Sequence, residues 1–161
     1  MRSSFSIRYT LACSAVTLLL SGLGLISCRR TIQTGTDREV TTLGTTEVSA
    51  RLVEIPEPFP PNDLYNYAYI LKYRVLKVHR GKVDGTDILV AHYNPLKSRA
   101  TAQDEFSGKI GGDLQVFRAG DVHHMALGAP VDEYWMGGII DKYFGKAGIR
   151  YWAVWTNLES E

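Results

Sequence analysis

Residues 67–93 have the sequence YAYILKYRVLKVHRGKVDGTDILVAHY, and this stretch decides the fold. Apolar residues alternate with other residues over 65–78 and again over 87–93, which predicts two β-strands. Gly81 and Gly85 bracket the polar residues between the strands, and glycine favours the backbone conformations of tight turns. The stretch therefore predicts an antiparallel β-hairpin.

The first strand of this hairpin has an aromatic face. Alternate side chains of a strand point to opposite sides, and Lys72 and Arg74 lie on the other face. The aromatic face consists of Tyr67, Tyr69, Leu71, Tyr73 and Val75. We expect this face to pack in the core of the domain rather than to bind a ligand.

Other segments predict further secondary structure. Strands are predicted over residues 47–55, 114–117, 122–127 and 149–156. Prolines 56, 58, 60 and 61 end the first of them, because proline supplies no backbone N–H to a β-ladder. Residues 96–113 are polar and contain glycine, which predicts a long loop with at most one helical turn. The apolar residues of 138–145 are spaced as in a helix, so one short helix is predicted there.

Five to six strands, one short helix and no alternation of strands with helices predict a mainly β fold. A small antiparallel barrel and a sandwich both fit this pattern. Residues 73–90 have the spacing Tyr73-x-Val75-x-x-Val78-x-x-Gly81-x-x-x-Gly85-x-x-Ile88-x-Val90. This spacing, followed by a glycine turn and a strand within 117–127, resembles netrin-like and OB-type barrels. The cysteines of the disulfide-bonded members of that family are absent, and the resemblance implies a fold without implying a function.

The N-terminal residues have the charge pattern of an export signal. Arg2 and Arg8 precede an apolar run over residues 10–27, which is the order found in signal peptides. A single membrane span is the alternative, since the run is nearly long enough to cross a bilayer. The run ends in Leu25-Ile26-Ser27-Cys28, which resembles the lipobox of bacterial lipoproteins.

The lipobox resemblance implies cleavage before Cys28 and acylation of that cysteine, so that membrane lipid anchors the chain. It divides the sequence into a signal peptide at 1–27, a lipidated flexible tether at 28–46 and a single β domain at 47–161. Arg29 follows the cysteine, where lipoproteins kept in the inner membrane have aspartate, and this favours the outer membrane. We therefore expect an envelope protein with its domain facing the periplasm.

The charge balance argues against a nucleic-acid partner. The sequence has 18 Lys and Arg against 17 Asp and Glu, and removal of Arg2 and Arg8 with the signal peptide leaves 16 against 17. Nucleic-acid-binding domains concentrate positive charge on one face, whereas the two signs are interspersed here. The sequence also lacks Gly-x-Ser-x-Gly, His-Glu-x-x-His and phosphate-loop motifs, so no cofactor and no catalytic residue is predicted.

Asp121, His123 and His124 form the polar group that most resembles a site. Neighbouring strand residues point to opposite faces, so the two histidines cannot both bind one metal in a regular strand. Asp121 and His123 share a face, and His79 or His92 is a candidate third ligand. The spacing does not require a metal, and polar residues at the mouth of a strand are the favoured explanation. Asp121-x-x-His124 also resembles a block of SGNH-type hydrolases, but Leu114 stands where their nucleophile block needs serine.

Aromatic residues near the end of the chain are candidate ligand-binding residues. Tyr134, Trp135 and Trp152 would form an exposed binding face, since aromatic rings stack on sugars and are enriched at protein interfaces. Core packing is the alternative, because a β domain of this size without disulfides needs large rings in its interior.

The sequence supports a non-enzymatic, lipid-anchored envelope protein that acts as an accessory or binding subunit of an envelope or polysaccharide-handling complex. Its partner would be a protein or a glycan. Two alternatives are a small carbohydrate-binding module and a metal-assisted enzyme using Asp121 and His123. Any functional surface is expected in the loops at 56–63, 96–113 and 132–148.

Overall fold

The structure is a computed structural model that describes residues 42–159. The predicted signal peptide, Cys28 and most of the predicted tether lie outside the described residues. Six strands are present: β1 Thr46–Glu54, β2 Ala68–Arg80, β3 Asp87–Tyr93, β4 Val122–Gly128, β5 Ile139–Ile140 and β6 Arg150–Glu159. A one-turn helix, α1 Arg99–Ala102, follows β3, and a 3-10 turn, Val131–Glu133, follows β4. In this part of the chain, no helix has the length and apolar character needed to cross a bilayer.

The strands form one sheet that closes into a barrel. Their order is β1-β4-β6-β3-β2-β5, and an additional pairing of β1 with β2 closes five of them into a ring. The mainly β prediction and the barrel alternative are therefore confirmed. The barrel is mixed rather than fully antiparallel, because β3 pairs with β6 in parallel and β5 adds to β2 in parallel. Sequence periodicity predicts strands but not the direction in which distant strands pair.

The predicted hairpin is present as β2 and β3. Residues 68–74 of β2 pair with residues 87–93 of β3. Gly81 and Gly85 adopt positive φ angles of 76° and 85° between them. A side chain at Gly81 would also come within 2.4 Å of the Thr45 carbonyl oxygen. Gly81 therefore sets both the turn and the close approach of the chain segment before β1.

The tyrosine face of β2 fills the barrel interior, as predicted. Tyr67, Tyr69, Leu71 and Tyr73 are fully buried, and they pack with inward-facing residues of the other strands in one apolar cluster. Partners from other strands include Val48, Leu52, Val90, Met125, Leu127 and Tyr151. Because successive side chains of a strand point to opposite faces, the other side chains of β2 face away from the barrel interior and pack against different residues.

A second apolar core lies on the outer side of β2, β3 and β6. Its members are Ala68, Ile70, Ala91, Tyr93, Ala102, Ile110, Val131, Trp135, Tyr143, Trp152 and Val154. The long connections after β3 and after β4 supply Ala102, Ile110, Trp135 and Tyr143. These connections thus cover a sheet face that would otherwise expose apolar residues to water.

Two predicted elements are wrong. Residues 138–145 do not form a helix: Ile139 and Ile140 form β5 and pair with β2, and a turn follows them. Residues 114–117 do not form a strand, although Leu114 and Phe117 are buried in the barrel cluster. In both segments some apolar residues are buried, whereas Val116 and Phe144 are exposed, and partners distant in sequence determine the backbone conformation.

Candidate functional site

Two histidines meet at one tyrosine inside the barrel. The Tyr73 hydroxyl oxygen lies 3.0 Å from His92 Nε2 and 3.0 Å from His123 Nδ1. These inward-facing residues of β2, β3 and β4 are all 0% exposed. A hydroxyl carries one proton, so the Tyr73 hydroxyl donates to one imidazole and accepts from the other.

Burial keeps this inner histidine pair neutral. It lowers the pKa of His123 to about 4, and the charge of Asp121 opposes this shift only in part. Burial, with smaller contributions from Arg99 and His123, lowers the pKa of His92 well below 6.5. The second ring nitrogens, His92 Nδ1 and His123 Nε2, have no hydrogen-bond partner among the described residues. Fully buried neutral rings cannot reach a substrate in this conformation, so the pair acts as a polar part of the core.

Arg99 is a buried cation that the sequence did not single out. Its guanidinium donates to the carbonyl oxygens of Tyr93, Asn94 and Lys97 at 2.7–2.9 Å. The Arg99 side chain also lies 5.2 Å above the ring of Phe117, and burial lowers its pKa to about 10. It therefore fixes the start of the loop after β3. An arginine in a polar loop gives no sequence signal of burial, which explains why it was missed.

The outer histidine pair lies on the opposite side of the barrel wall. His124 Nε2 is 2.8 Å from a carboxylate oxygen of Glu47, and His79 Nε2 is 2.8 Å from the Ser49 hydroxyl. The two imidazole rings are 4.8 Å apart. His123 and His124 thus point to opposite faces, as strand alternation predicted.

The weak metal candidates do not form a site in this structure. Asp121 precedes β4, and its backbone oxygen accepts a 2.9 Å hydrogen bond from the N–H of Leu52. No hydrogen bond joins Asp121 to His123, whose Nδ1 contacts Tyr73 instead. Within residues 42–159, no three His, Cys, Asp or Glu side chains are placed to hold a metal ion.

The candidate aromatic residues belong to the second core. Trp135 and Trp152 stack with ring centroids 5.9 Å apart and are 8% and 1% exposed. Tyr93 packs edge-on against Trp135 at 4.7 Å. Tyr134 is half-buried, and its ring lies so close to Gly128 that an added Cβ would meet it at 2.1 Å. The two tryptophans therefore do not form an exposed aromatic face.

An open groove lies in the connection between β4 and β6. The two limbs of this connection, 130–139 and 141–150, enclose about 610 Å³. Apolar side chains in its lining include Val131, Ile139, Phe144 and Ile149, and charged ones include Asp132 and Lys146. Phe144 is 91% exposed. We refer to this feature as the connection groove.

Arg150 holds the second limb of the connection groove in place. It donates to Asp141 Oδ2 at 3.1 Å and to the carbonyl oxygens of Tyr143, Lys146 and Gly148 at 2.7–2.9 Å. These bonds satisfy the backbone of a segment without regular secondary structure. The sequence analysis did not single out Arg150, because no local pattern identifies the carbonyl oxygens that it contacts.

Comparisons of the chain with protein-family models, curated proteins and solved structures found no match.

Proposed function

We propose that the protein is a lipid-anchored envelope protein whose β-barrel is a non-enzymatic binding subunit for a protein partner. The lipobox-like residues Leu25-Ile26-Ser27-Cys28 support the anchor, with acylated Cys28 in the membrane and the barrel facing the periplasm. The polar residues after Cys28 supply a tether between the lipid and the first strand.

The connection groove is the observation that carries the binding role. It combines exposed apolar surface, chiefly Phe144, with the charged side chains of Asp132 and Lys146 at the same opening. Protein interfaces commonly centre on aromatic residues with polar groups at the rim. A glycan site would be better supported by exposed tryptophans, but Trp135 and Trp152 are buried in the second core.

The position of the groove in the barrel supports the same proposal. The closed order of the five main strands resembles that of OB-type barrels, in which the face of the second and third strands and its flanking loops bind ligands. In this chain, residues of the connection, including Trp135 and Tyr143, cover that face. The connection groove is formed by the same connection that covers this face.

The metal-assisted enzyme has less support. His123 is fully buried against Tyr73, and Asp121 makes no hydrogen bond with it. A general base must come within hydrogen-bond distance of the proton it removes. A fully buried imidazole does not meet that condition without opening of the barrel.

Photo-crosslinking in the native cells tests the proposal. A photoreactive phenylalanine analogue replaces Phe144, and the same analogue replaces Leu76, which is 52% exposed on β2 outside the groove. We expect a protein adduct of defined mass from position 144 and a much weaker one from position 76. Equal adducts from both positions, or an adduct with polysaccharide alone, would contradict a protein partner at the groove.

The anchor is tested in the same cells. Cys28→Ala removes the acylated thiol, so the protein should leave the membrane fraction and lose labelling by a fatty-acid analogue. Cys13→Ala is the matched control, since Cys13 lies within the predicted signal peptide and is removed with it. Membrane association that survives Cys28→Ala would contradict the lipoprotein assignment.

A further inference from the structure

We propose that the barrel end formed by the loops at 55–67 and 94–107 is a second protein-binding surface, for a partner with an apolar cleft rimmed by Lys and Arg. We call it the distal surface. The distal surface lies outside the connection groove. This inference rests on the proposed function only in one respect, namely that the ligand is a protein.

Strand directions place the distal surface far from the point where the chain enters the barrel. The chain enters β1 at Thr46, which is paired with Leu127 near the end of β4. β1 and β3 both run antiparallel to β2, so they run in the same direction and end at the same side of the barrel. The loops after Glu54 and after Tyr93 therefore share one end. A nine-residue strand spans about 30 Å, so this end lies far from Thr46.

Each of the two loops carries exposed apolar side chains. Leu64 is 87% exposed, Tyr65 58%, Leu96 54% and Phe106 68%. Hydrogen bonds bring the loops together: Asn66 Nδ2 donates to Asp104 Oδ2 at 2.9 Å, close in sequence to both Tyr65 and Phe106. Large apolar side chains gathered at one end of a domain are characteristic of interaction surfaces.

Acidic residues directly precede the exposed apolar ones in both loops. The first loop has Asp63 before Leu64, and the second has Glu105 before Phe106. Both Asp63 and Glu105 are exposed, and neither forms an ion pair within residues 42–159. Lys97, directly after Leu96, is also exposed, so the two carboxylates flank the part of the surface with Leu64 and Phe106, where charge complementarity favours a partner with basic groups around an apolar cleft. The same carboxylates would repel an anionic lipid surface.

The backbone beneath these side chains is rigidly held. Asn94 is fully buried, accepts from Asn62 Nδ2 at 2.9 Å and donates to Asn66 Oδ1 at 3.0 Å. Asp104 Oδ1 accepts from the N–H groups of Phe106 and Ser107 at 2.9 and 3.0 Å. These bonds join the two loops to one another and fix the turn that carries Phe106.

Arg99 also holds the backbone of the second loop in place. Its bonds to three carbonyl oxygens of residues 93–97 fix the backbone on either side of the exposed Leu96. Exposed apolar groups on a preorganised backbone lose little conformational entropy on binding. The structure thus presents these side chains to solvent on an ordered support, which is the arrangement that a docking surface requires.

Crosslinking from Tyr65 tests the distal surface in the full-length lipidated protein. A photoreactive analogue at position 65 should give a protein adduct in the native envelope. Leu64→Ser combined with Phe106→Ser should lower the yield of that adduct roughly tenfold, as expected for central contact residues. Leu76→Ser combined with Val78→Ser is the matched control, because these side chains are 52% and 40% exposed on β2 and lie outside the two surfaces.

Charge reversal provides a second readout that does not alter apolar packing. Asp63→Lys combined with Glu105→Lys should also lower the adduct from position 65, and added salt should lower it in the unchanged protein, because exposed charges are screened. The adduct from position 144 should persist in all these variants, which separates this proposal from the connection groove. No adduct from position 65, insensitivity to charge reversal, an adduct with a second copy of this chain, or an adduct with phospholipid would each overturn the proposal.

Discussion

The inner and outer histidine pairs contain the same residue type on either side of one barrel wall. His123 and His124 are neighbours in β4, yet His123 is 0% exposed and bonded to Tyr73, whereas the outer His124 bonds to Glu47. The inner pair shares a neutral hydroxyl, while the outer pair contacts a carboxylate and a serine hydroxyl. The face of the strand on which a histidine lies therefore determines whether its ring is part of the core or lies near solvent.

This difference has an energetic meaning. The buried inner rings are out of contact with water, and the Tyr73 hydroxyl is their shared hydrogen-bond partner. If Tyr73 is replaced, no water is present to take over these hydrogen bonds. The outer rings lie nearer to solvent, where water replaces a lost partner at small cost. Removing a hydrogen-bond partner or protonating a ring should therefore lower the free energy of unfolding far more at the inner pair than at the outer pair.

The largest effect is expected from Tyr73→Phe. This change leaves His92 Nε2 and His123 Nδ1 unpaired in the core and should lower the free energy of unfolding by about 3 kcal/mol. Tyr69→Phe is the matched control on the same strand, since its hydroxyl donates only to the backbone oxygen of Glu57 at 3.1 Å. The control should lose about 1 kcal/mol. Urea unfolding measures both, and equal losses would show that the shared hydroxyl does not stabilise the inner pair.

Acid should produce the next largest effect. The folded-state pKa of His123 is about 4, below the usual 6.5, so the unfolded chain binds more protons as the pH falls. The stabilisation is therefore complete above about pH 6.5 and is lost progressively towards pH 4, with about 2 kcal/mol gone at pH 5 from His123 alone. His92, whose pKa is also lowered by burial, adds a loss of the same sign.

Unfolding experiments at a series of pH values measure this loss. A variant with both His79→Gln and His124→Gln should retain it, because the inner pair is intact. If the acid sensitivity disappears in this variant, then the outer pair causes it and the inner pair does not, which contradicts the prediction.

The smallest effect is expected from His124→Gln alone. The Glu47 carboxylate keeps Arg80 Nε at 3.7 Å, so the free energy of unfolding should fall by only about 1 kcal/mol. Proton NMR gives a sharper comparison in the unmodified protein. The exposed His79 ring, whose pKa is lowered by partial burial, should titrate within the folded state, whereas the His92 ring should not change until the barrel unfolds. Titration of His92 in the folded protein would show that the barrel interior is open to solvent.

Local patterns predicted the elements whose partners are close in sequence. The β2–β3 hairpin follows from strand alternation and from two glycines with positive φ, and all of this information lies within residues 67–93. The same alternation correctly placed Tyr73 inside the barrel and separated His123 from His124. These predictions hold because one strand and one turn determine them.

Long-range packing determined what the sequence could not predict. The spacing of Ile139, Ile140 and Tyr143 fits a helix, but pairing with β2 makes the first two residues a strand. Trp135 and Trp152 looked like a binding face because the sequence does not show which connection covers which sheet face. Their stack forms only when the segment after β4 folds back over β3 and β6.

Closure of the barrel by the β1–β2 pairing has a consequence for contacts between copies of the protein. Open sheet edges recruit strands from neighbouring copies and promote aggregation. In residues 42–159 the sheet ends only at β5, which is two residues long, since β1 is paired on both sides. A neighbouring copy would thus find almost no free strand of this sheet to extend.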